Sequence, residues 1–335
     1  MLENYKIKLA IKTVSPVAII EGNDTEAGGN IVTRVKRAAT ISQTDDGKKI
    51  DYLPYLPANG IRGVLRRFAT QKLVEAVKKN ENIQTLKDSD IHAMLSGSGA
   101  SKAALKSKEI DEIREKNPIL SLFGTGILMA GKLKVADAMP DDSTEAKNFV
   151  RRLTFVKVDD ILMNTKFAGL FSKEQVEEWE ESVSQNSAER KKDRENKKLA
   201  KEMNEVYNED ERTKKSSIQH FAQKEYIVSK SQFNGGFFLE NVTTLELGMF
   251  LHALESFVKH GRIGSSQNIG FGVIDIHIED IDGSGVSFDR IANDNFIYDA
   301  KIELDLDGDF KKAYDEYSDF LKNAKREHIE LISKF

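Results

Sequence analysis

Three arginines, Arg62, Arg66 and Arg67, follow a careful stop in the stretch DYLPYLPANGIRGVLRRFAT at Asp51–Thr70. Arg62 and Arg66 are four apart, so on a helix they share a face, with Arg67 on the adjacent one. Asn59 is suited to cap such a helix. A helix N-terminus already favours anions through its N–H groups and dipole, so stability alone would place acids there. Guanidinium forks beside those N–H groups make a phosphate site. The plain alternative is a solvated charged face; the position in the N-terminal half of the helix favours binding. A second candidate is GRIGSSQNIGFG at Gly261–Gly272, where Arg262, Ser265, Ser266, Gln267 and Asn268 stand between glycines. Glycines admit close backbone approach, and the donors between them suit phosphate, sugar or base edges. A tight helix-to-strand connection would need fewer residues.

Other motifs do less. Gly126–Lys132 (GILMAGK) imitates a P-loop, but Leu133 stands where a Ser or Thr must hold Mg²⁺. The segment Asp305–Asp309 (DLDGD) hints at calcium, yet its glycine comes too early for an EF-hand, so a turn and helix cap is expected. There is no cysteine, which excludes thiolate chemistry and disulfides. The six histidines show no metal-ligand spacing, and no GxSxG occurs. His252 and His260 read as structural, and His220 is the one candidate acid-base. No cofactor and no metal are expected.

The elements that must position these residues follow from periodicity. Tyr5, Ile7, Leu9 and Ile11 alternate with polar residues, a half-buried strand ended by Ser15-Pro16. Residues 21–30 (EGNDTEAGGN) read as a loop, Ile31–Ala39 as a strand or hairpin, and Asp45-Asp46-Gly47 as a turn. Ile61, Val64, Leu65 and Phe68 form the apolar stripe of a helix running to about Lys79. Lys87–Pro118 reads as helical, with a break at Ser96–Gly99. A glycine turn and strand follow in Leu122–Asp137, and a further strand at Leu153–Val158. Glu225–Glu240 is rich in strand formers. Thr243 and Glu246 form a capping box ahead of a helix to His260, with Gly261 as its C-terminal stop. Strands at 274–279 and 302–306 precede a closing helix. Strand, helix, strands, insertion, strand, helix, strand is the ferredoxin-like order, an α+β fold with an antiparallel sheet and two helices on one face. The expected division is an RRM-like palm core at 1–158 and 225–306 with a helical insertion near 80–120, an inserted segment at 159–224, and a C-terminal helix at 307–335.

The net charge of −4 argues against a polyanion partner, but its distribution does not. Ile31–Lys79 carries 11 basic and 4 acidic residues, whereas Asp275–Phe335 carries 8 basic and 16 acidic. The local field, not the total, attracts a polyanion. Ser172–Lys215 holds 11 basic and 13 acidic residues and reads as an exposed projection. No signal peptide and no apolar run of the ~20 residues a membrane helix needs is present, so a soluble, cytoplasmic protein without membrane contact is expected.

Ser15-Pro16, YLPANGIRGVLRR at Tyr55–Arg67, LFGTGILMAGKLKVADA at Leu122–Ala138 and GRIGSSQNIGFG, in this order, resemble the RAMP superfamily of CRISPR-associated proteins. Ala58 and Asn59 depart from that family's pattern before the arginines. Within the superfamily the chain resembles the backbone subunit ("Cas seven") of multisubunit effectors, closest to the type IV branch, with the 159–224 insertion placed as that subunit's thumb. The resemblance implies a helical filament of copies along a CRISPR guide RNA, which is presented for pairing to a complementary DNA or RNA target strand, together with other effector subunits. It implies guide contacts at Asn59, Arg62, Arg66 and Arg67. Arg262, Ser265, Gln267 and Asn268 would line the same groove. Arg34, Lys36 and Arg37 would lie near guide and target. Type III relatives cut target RNA with a first-loop aspartate; here Asn30 aligns near that place, with Asp24 and Glu26 close by. The expected role is therefore non-catalytic. A metal-dependent endoribonuclease, or a guide-processing nuclease using His220, is the alternative.

Overall fold

Alternation at the N-terminus becomes a strand, β1 (Glu3–Thr13), with Ile7, Leu9 and Ile11 buried on one face. The computed structural model describes residues 2–25, 31–44, 47–97, 106–125, 129–157, 220–280 and 285–331. After β1 come β2 (Ile20–Thr25), β3 (Ile31–Val35), β4 (Arg37–Thr44) and β5 (Gly47–Pro54), then α1 (Ala58–Glu81). Three helices follow, α2 (Asp88–Ser96), α3 (Ser107–Lys116) and α4 (Pro118–Phe123). Next are β6 (Leu133–Val135), β7 (Met139–Pro140), α5 (Ser143–Ala146) and β8 (Val150–Lys157). The C-terminal part holds β9 (His220–Ile227), β10 (Gln232–Val242), α6 (Thr244–His260), β11 (Ile274–Asp280), β12 (Val286–Ala292), β13 (Ala300–Leu306) and α7 (Gly308–Lys322).

The chain divides into two units. The larger, Met1–Glu21, Val35–Arg151 and Tyr226–Phe335, is built on a sheet of order β13–β12–β11–β1–β10–β6, with β7 also paired to β10. Every pairing in it is antiparallel: Leu9 lies opposite Gly235 of β10 and Ile278 of β11. Its centre, β11–β1–β10–β6 with α1 after β1 and α6 after β10, is the ferredoxin-like order that the sequence predicts. Ile7, Leu9 and Ile11 share one core with Leu65 and Leu73 of α1 and Phe250, Leu254 and Phe257 of α6. Each such side chain contributes roughly 1.5–3 kcal/mol on leaving water. The sheet is wider than expected, because β12 is an added strand with Val286, Phe288 and Arg290 turned inward. In the smaller unit, Gly22–Arg34 and Arg152–Glu225, β3 runs parallel to β9, with Val32 opposite Gln223.

Helix α6 starts and stops as its sequence predicts. The Thr243 hydroxyl accepts from the Glu246 N–H, Glu246 accepts from the Thr243 N–H, and Gly261 is left-handed at φ 58°. Asp307 caps α7 by accepting from the Gly308 N–H, so the DLDGD segment is the end of β13 followed directly by the expected helix cap, with no separate turn. The charged stretch Ser172–Lys215 lies outside the described residues, as do Glu26 and Asn30, while residues 220–224 of the expected 159–224 insertion belong to β9. Nothing is described of the side chains of Asp24 and His220.

Candidate nucleic-acid interface

Helix α1 begins two residues earlier than expected, at Ala58, with Pro57 as the preceding cap residue. Proline presets φ near −65° and has no N–H to satisfy, so the helix can start at once behind it. Asn59 therefore lies inside the first turn and is exposed; it is not the cap. The capping function comes from a distant residue, Asp137, whose Oδ1 accepts the Ala58 N–H at 2.6 Å.

The three arginines divide by exposure. Arg67 is exposed. Arg62 is half-buried and donates to the Phe123 carbonyl. Arg66 is 6 % exposed, donates to the Gly124 carbonyl, and lies 5.5 Å over the Phe123 ring. Burial lowers both guanidinium pKa values, that of Arg66 to about 10, where the charge of Arg62 adds to the effect. The expectation of a guide contact at Arg66 thus gives way to an interior role: it holds the turn after α4, at the position where the solvated-face reading had placed it in water.

The glycine segment is tied to the chain after β1. The Ser265 N–H and hydroxyl both donate to the Ala18 carbonyl, at 2.8 and 3.1 Å, and the Gly272 N–H donates to the Pro16 carbonyl at 2.7 Å. A Cβ at Gly264 would stand 2.8 Å from the Ala18 oxygen, and one at Gly272 2.4 Å from the Ile263 oxygen, both at positive φ. These two glycines serve chain-to-chain approach, which the sequence reading had assigned to a ligand. Gln267 Nε2 donates to the Gly264 carbonyl at 3.0 Å, and Asn268 is exposed. Ser15, at the Ser-Pro stop, accepts the Val273 N–H on its hydroxyl at 2.9 Å.

The two basic segments meet at His260, the last residue of α6. Burial lowers its pKa, and the charges of Arg262, Arg290 and Arg67 push it further, against a hydrogen bond with Gln267. Phe68 of α1 meets the His260 ring edge-on at 5.3 Å. The structure thus lets the charges of Arg67 and Arg262 act on His260, with Gln267 hydrogen-bonded to it. It adds Arg290, which sequence reasoning missed. Arg290 is 3 % exposed and donates to the Ile274 carbonyl at 2.6 Å. Its signal was present: it falls in the inward phase of Val286 and Phe288.

The first-loop cations are placed differently. Lys36 and Arg37 sit in the larger unit, where Arg37 donates to the Val35 carbonyl at 3.4 Å. Arg34 belongs to the smaller unit, where its guanidinium meets the buried Glu225 carboxylate at 3.0 Å and Arg152 approaches the same oxygen at 3.5 Å. Among the described residues there is no group of three or more acids and histidines that could hold a metal ion, and no helix is long and apolar enough to cross a membrane.

Comparison with known proteins adds one decisive match. The family model described as the RAMP superfamily matches residues 10–275. No curated protein matches the chain. Among solved structures, a chain of a "Type IV-B CRISPR Complex" is similar at 14% identity and a TM-score of 0.45, over 82% of this chain and 90% of that one. The family match takes in the end of β1 and all of α1, α6 and the glycine segment, and on it the chain belongs to the RAMP superfamily.

Proposed function

We propose that this protein is a non-catalytic backbone subunit of a CRISPR effector complex, binding guide RNA along its own surface and presenting it for pairing. The observations that carry the reading are the family match and, beside it, the charges of Arg67 and Arg262 acting on His260, whose ring Phe68 of α1 meets edge-on at 5.3 Å. One group comes from α1 and the other from the glycine segment, more than 190 positions apart in the chain. Convergent guanidinium groups suit phosphate, which is recognised without regard to base sequence. Base pairing then supplies specificity, as in other RNA-guided systems. Copies of the chain following one guide would form the filament, other effector subunits would complete the complex, and the target would be a complementary DNA or RNA strand.

The test is purification at low salt followed by nucleic-acid extraction. A bound RNA of defined length is expected, and Arg67→Glu with Arg262→Glu should release it. Protein free of RNA under these conditions would count against the reading. A complementary target RNA incubated with the complex and Mg²⁺ should stay intact; cuts at regular spacing, lost in Asp24→Ala, would establish an endoribonuclease instead.

A further inference from the structure

The turn between β12 and β13 holds two aromatic rings out in water. Phe296 is 60% exposed and Tyr298 43% exposed, their centroids 5.5 Å apart and edge to face. The turn holding them is firmly bonded. The Asn293 N–H donates to the Asp299 carbonyl at 2.9 Å, the Asp299 N–H to the Phe296 carbonyl at 2.8 Å, and the Asn295 N–H to Asn293 Oδ1 at 2.9 Å. An ordered turn that keeps two large rings outside the core needs a reason, since burying either would be favourable.

The surroundings supply one. The Arg262 guanidinium carbon lies 4.6 Å over the Tyr298 ring, and Gly270 of the glycine segment comes close enough that a Cβ there would be 3.2 Å from the tyrosine oxygen. The rings are thus continuous with the cationic cluster at His260. Flat rings beside a stacked guanidinium are the chemistry that holds unstacked bases. Asp294 and Asp299 in the same turn disfavour phosphate but can accept from base amino and imino groups. A second copy of this chain is a poorer fit. Two rings cover at most roughly 150–250 Å² each, against the roughly 800 Å² per partner of a stable protein interface.

We propose that Phe296 and Tyr298, steadied by Arg262, form a stacking platform for bases of a single-stranded nucleic acid. The proposal rests on the RNA-binding reading above and extends it beyond residues 10–275, since both rings lie outside the span matched to the family.

The experiment compares the full chain with Phe296→Ala/Tyr298→Ala, using two fluorescein-labelled probes: a short oligouridylate, and an abasic strand of equal length. The wild-type chain is expected to bind the uridine strand about tenfold more tightly than the abasic one, as stacking of about one base would give. The double variant should lose that tenfold and leave the abasic affinity unchanged. Phe296→Tyr/Tyr298→Phe, which keeps both rings, should bind like wild type. If the alanine variant binds both strands as wild type does, the platform is refuted while RNA binding stands. If it instead lowers self-association in sedimentation with RNA affinity intact, the patch is an interface between copies and the proposal falls. If the wild-type chain binds neither strand, the RNA-binding reading fails and takes the platform with it.

Discussion

Lys132 and Glu246 show at the residue scale what became of a tempting motif. Lys132 closes GILMAGK, the false P-loop, and its ammonium pairs with the buried Glu246 carboxylate at 2.8 Å. Glu246 also accepts from the Ser121 hydroxyl and from the Thr243 N–H, so one side chain caps α6 and anchors two other segments. Removing one partner strands the other charge, so Lys132→Ala should cost roughly 3 kcal/mol. Chemical denaturation of the larger unit would read this as a lowered midpoint. A second network lies where α1, α6 and α7 meet. His252 stacks on Tyr314 at 3.9 Å, and burial followed by the Lys72 charge pulls its pKa down to about 4. Burial alone would raise the Glu255 carboxyl, but hydrogen bonds from Lys259 and Lys72 and the Lys72 charge hold it at about 2. Both folded-state values lie below the unfolded ones. Each group therefore contributes stability that is complete above its unfolded value and is lost as pH falls toward the folded one. For His252 that window runs from 6.5 down to about 4. The loss over it should be about 2–3 kcal/mol, and His252→Gln should flatten denaturation midpoints across the same range.

Two glycines with the same apparent role separate at the element scale. Gly60 and Gly248 both lie in helices, where alanine is intrinsically better by up to about 1 kcal/mol. A Cβ at Gly60 would meet only Pro57 Cγ at 3.7 Å, an ordinary contact. At Gly248 it would stand 2.0 Å from the Ala313 carbonyl oxygen and 2.8 Å from Tyr317 Cβ. Gly248 is thus what lets α7 lie close on α6. Gly60→Ala should raise the midpoint slightly, whereas Gly248→Ala should lower stability by about 1–3 kcal/mol and speed hydrogen exchange in α7. Equal shifts for the two variants would contradict this packing. The start of α1 has the same lesson: Asn59 had the right side chain for a cap, but Asp137 was within reach of the Ala58 N–H, and Pro57 had already set the backbone.

At the scale of the whole molecule, charge separation decides what a net charge of −4 permits. If guide phosphates meet Arg67 and Arg262, affinity must fall with salt despite the acidic total. Replacing either arginine by alanine should reduce the slope of log affinity against log salt by about 1, uniformly across RNA sequences. A slope unaltered by both substitutions would remove these residues from the interface. The order of elements, the ends of α6 and the inward faces of β1 and β11 were legible in sequence, because periodicity and capping depend on neighbours a few positions apart. The arginines of α1 were legible for the same reason, as a local run of charge, and the segment at 261–272 as a local run of glycines. Their division into exposed and enclosed groups was not. Arg66 and Arg67 are adjacent in the chain, and only the packing of the turn at Phe123–Gly124 against α1 made one an interior donor and left the other in water. Arg290 joined the cluster through a strand that pairs with β11, and Phe296 and Tyr298 came to Arg262 from more than 30 residues away. Local chemistry is written in the chain at short range, whereas which groups share a surface is settled by long-range pairing and burial that no single segment encodes.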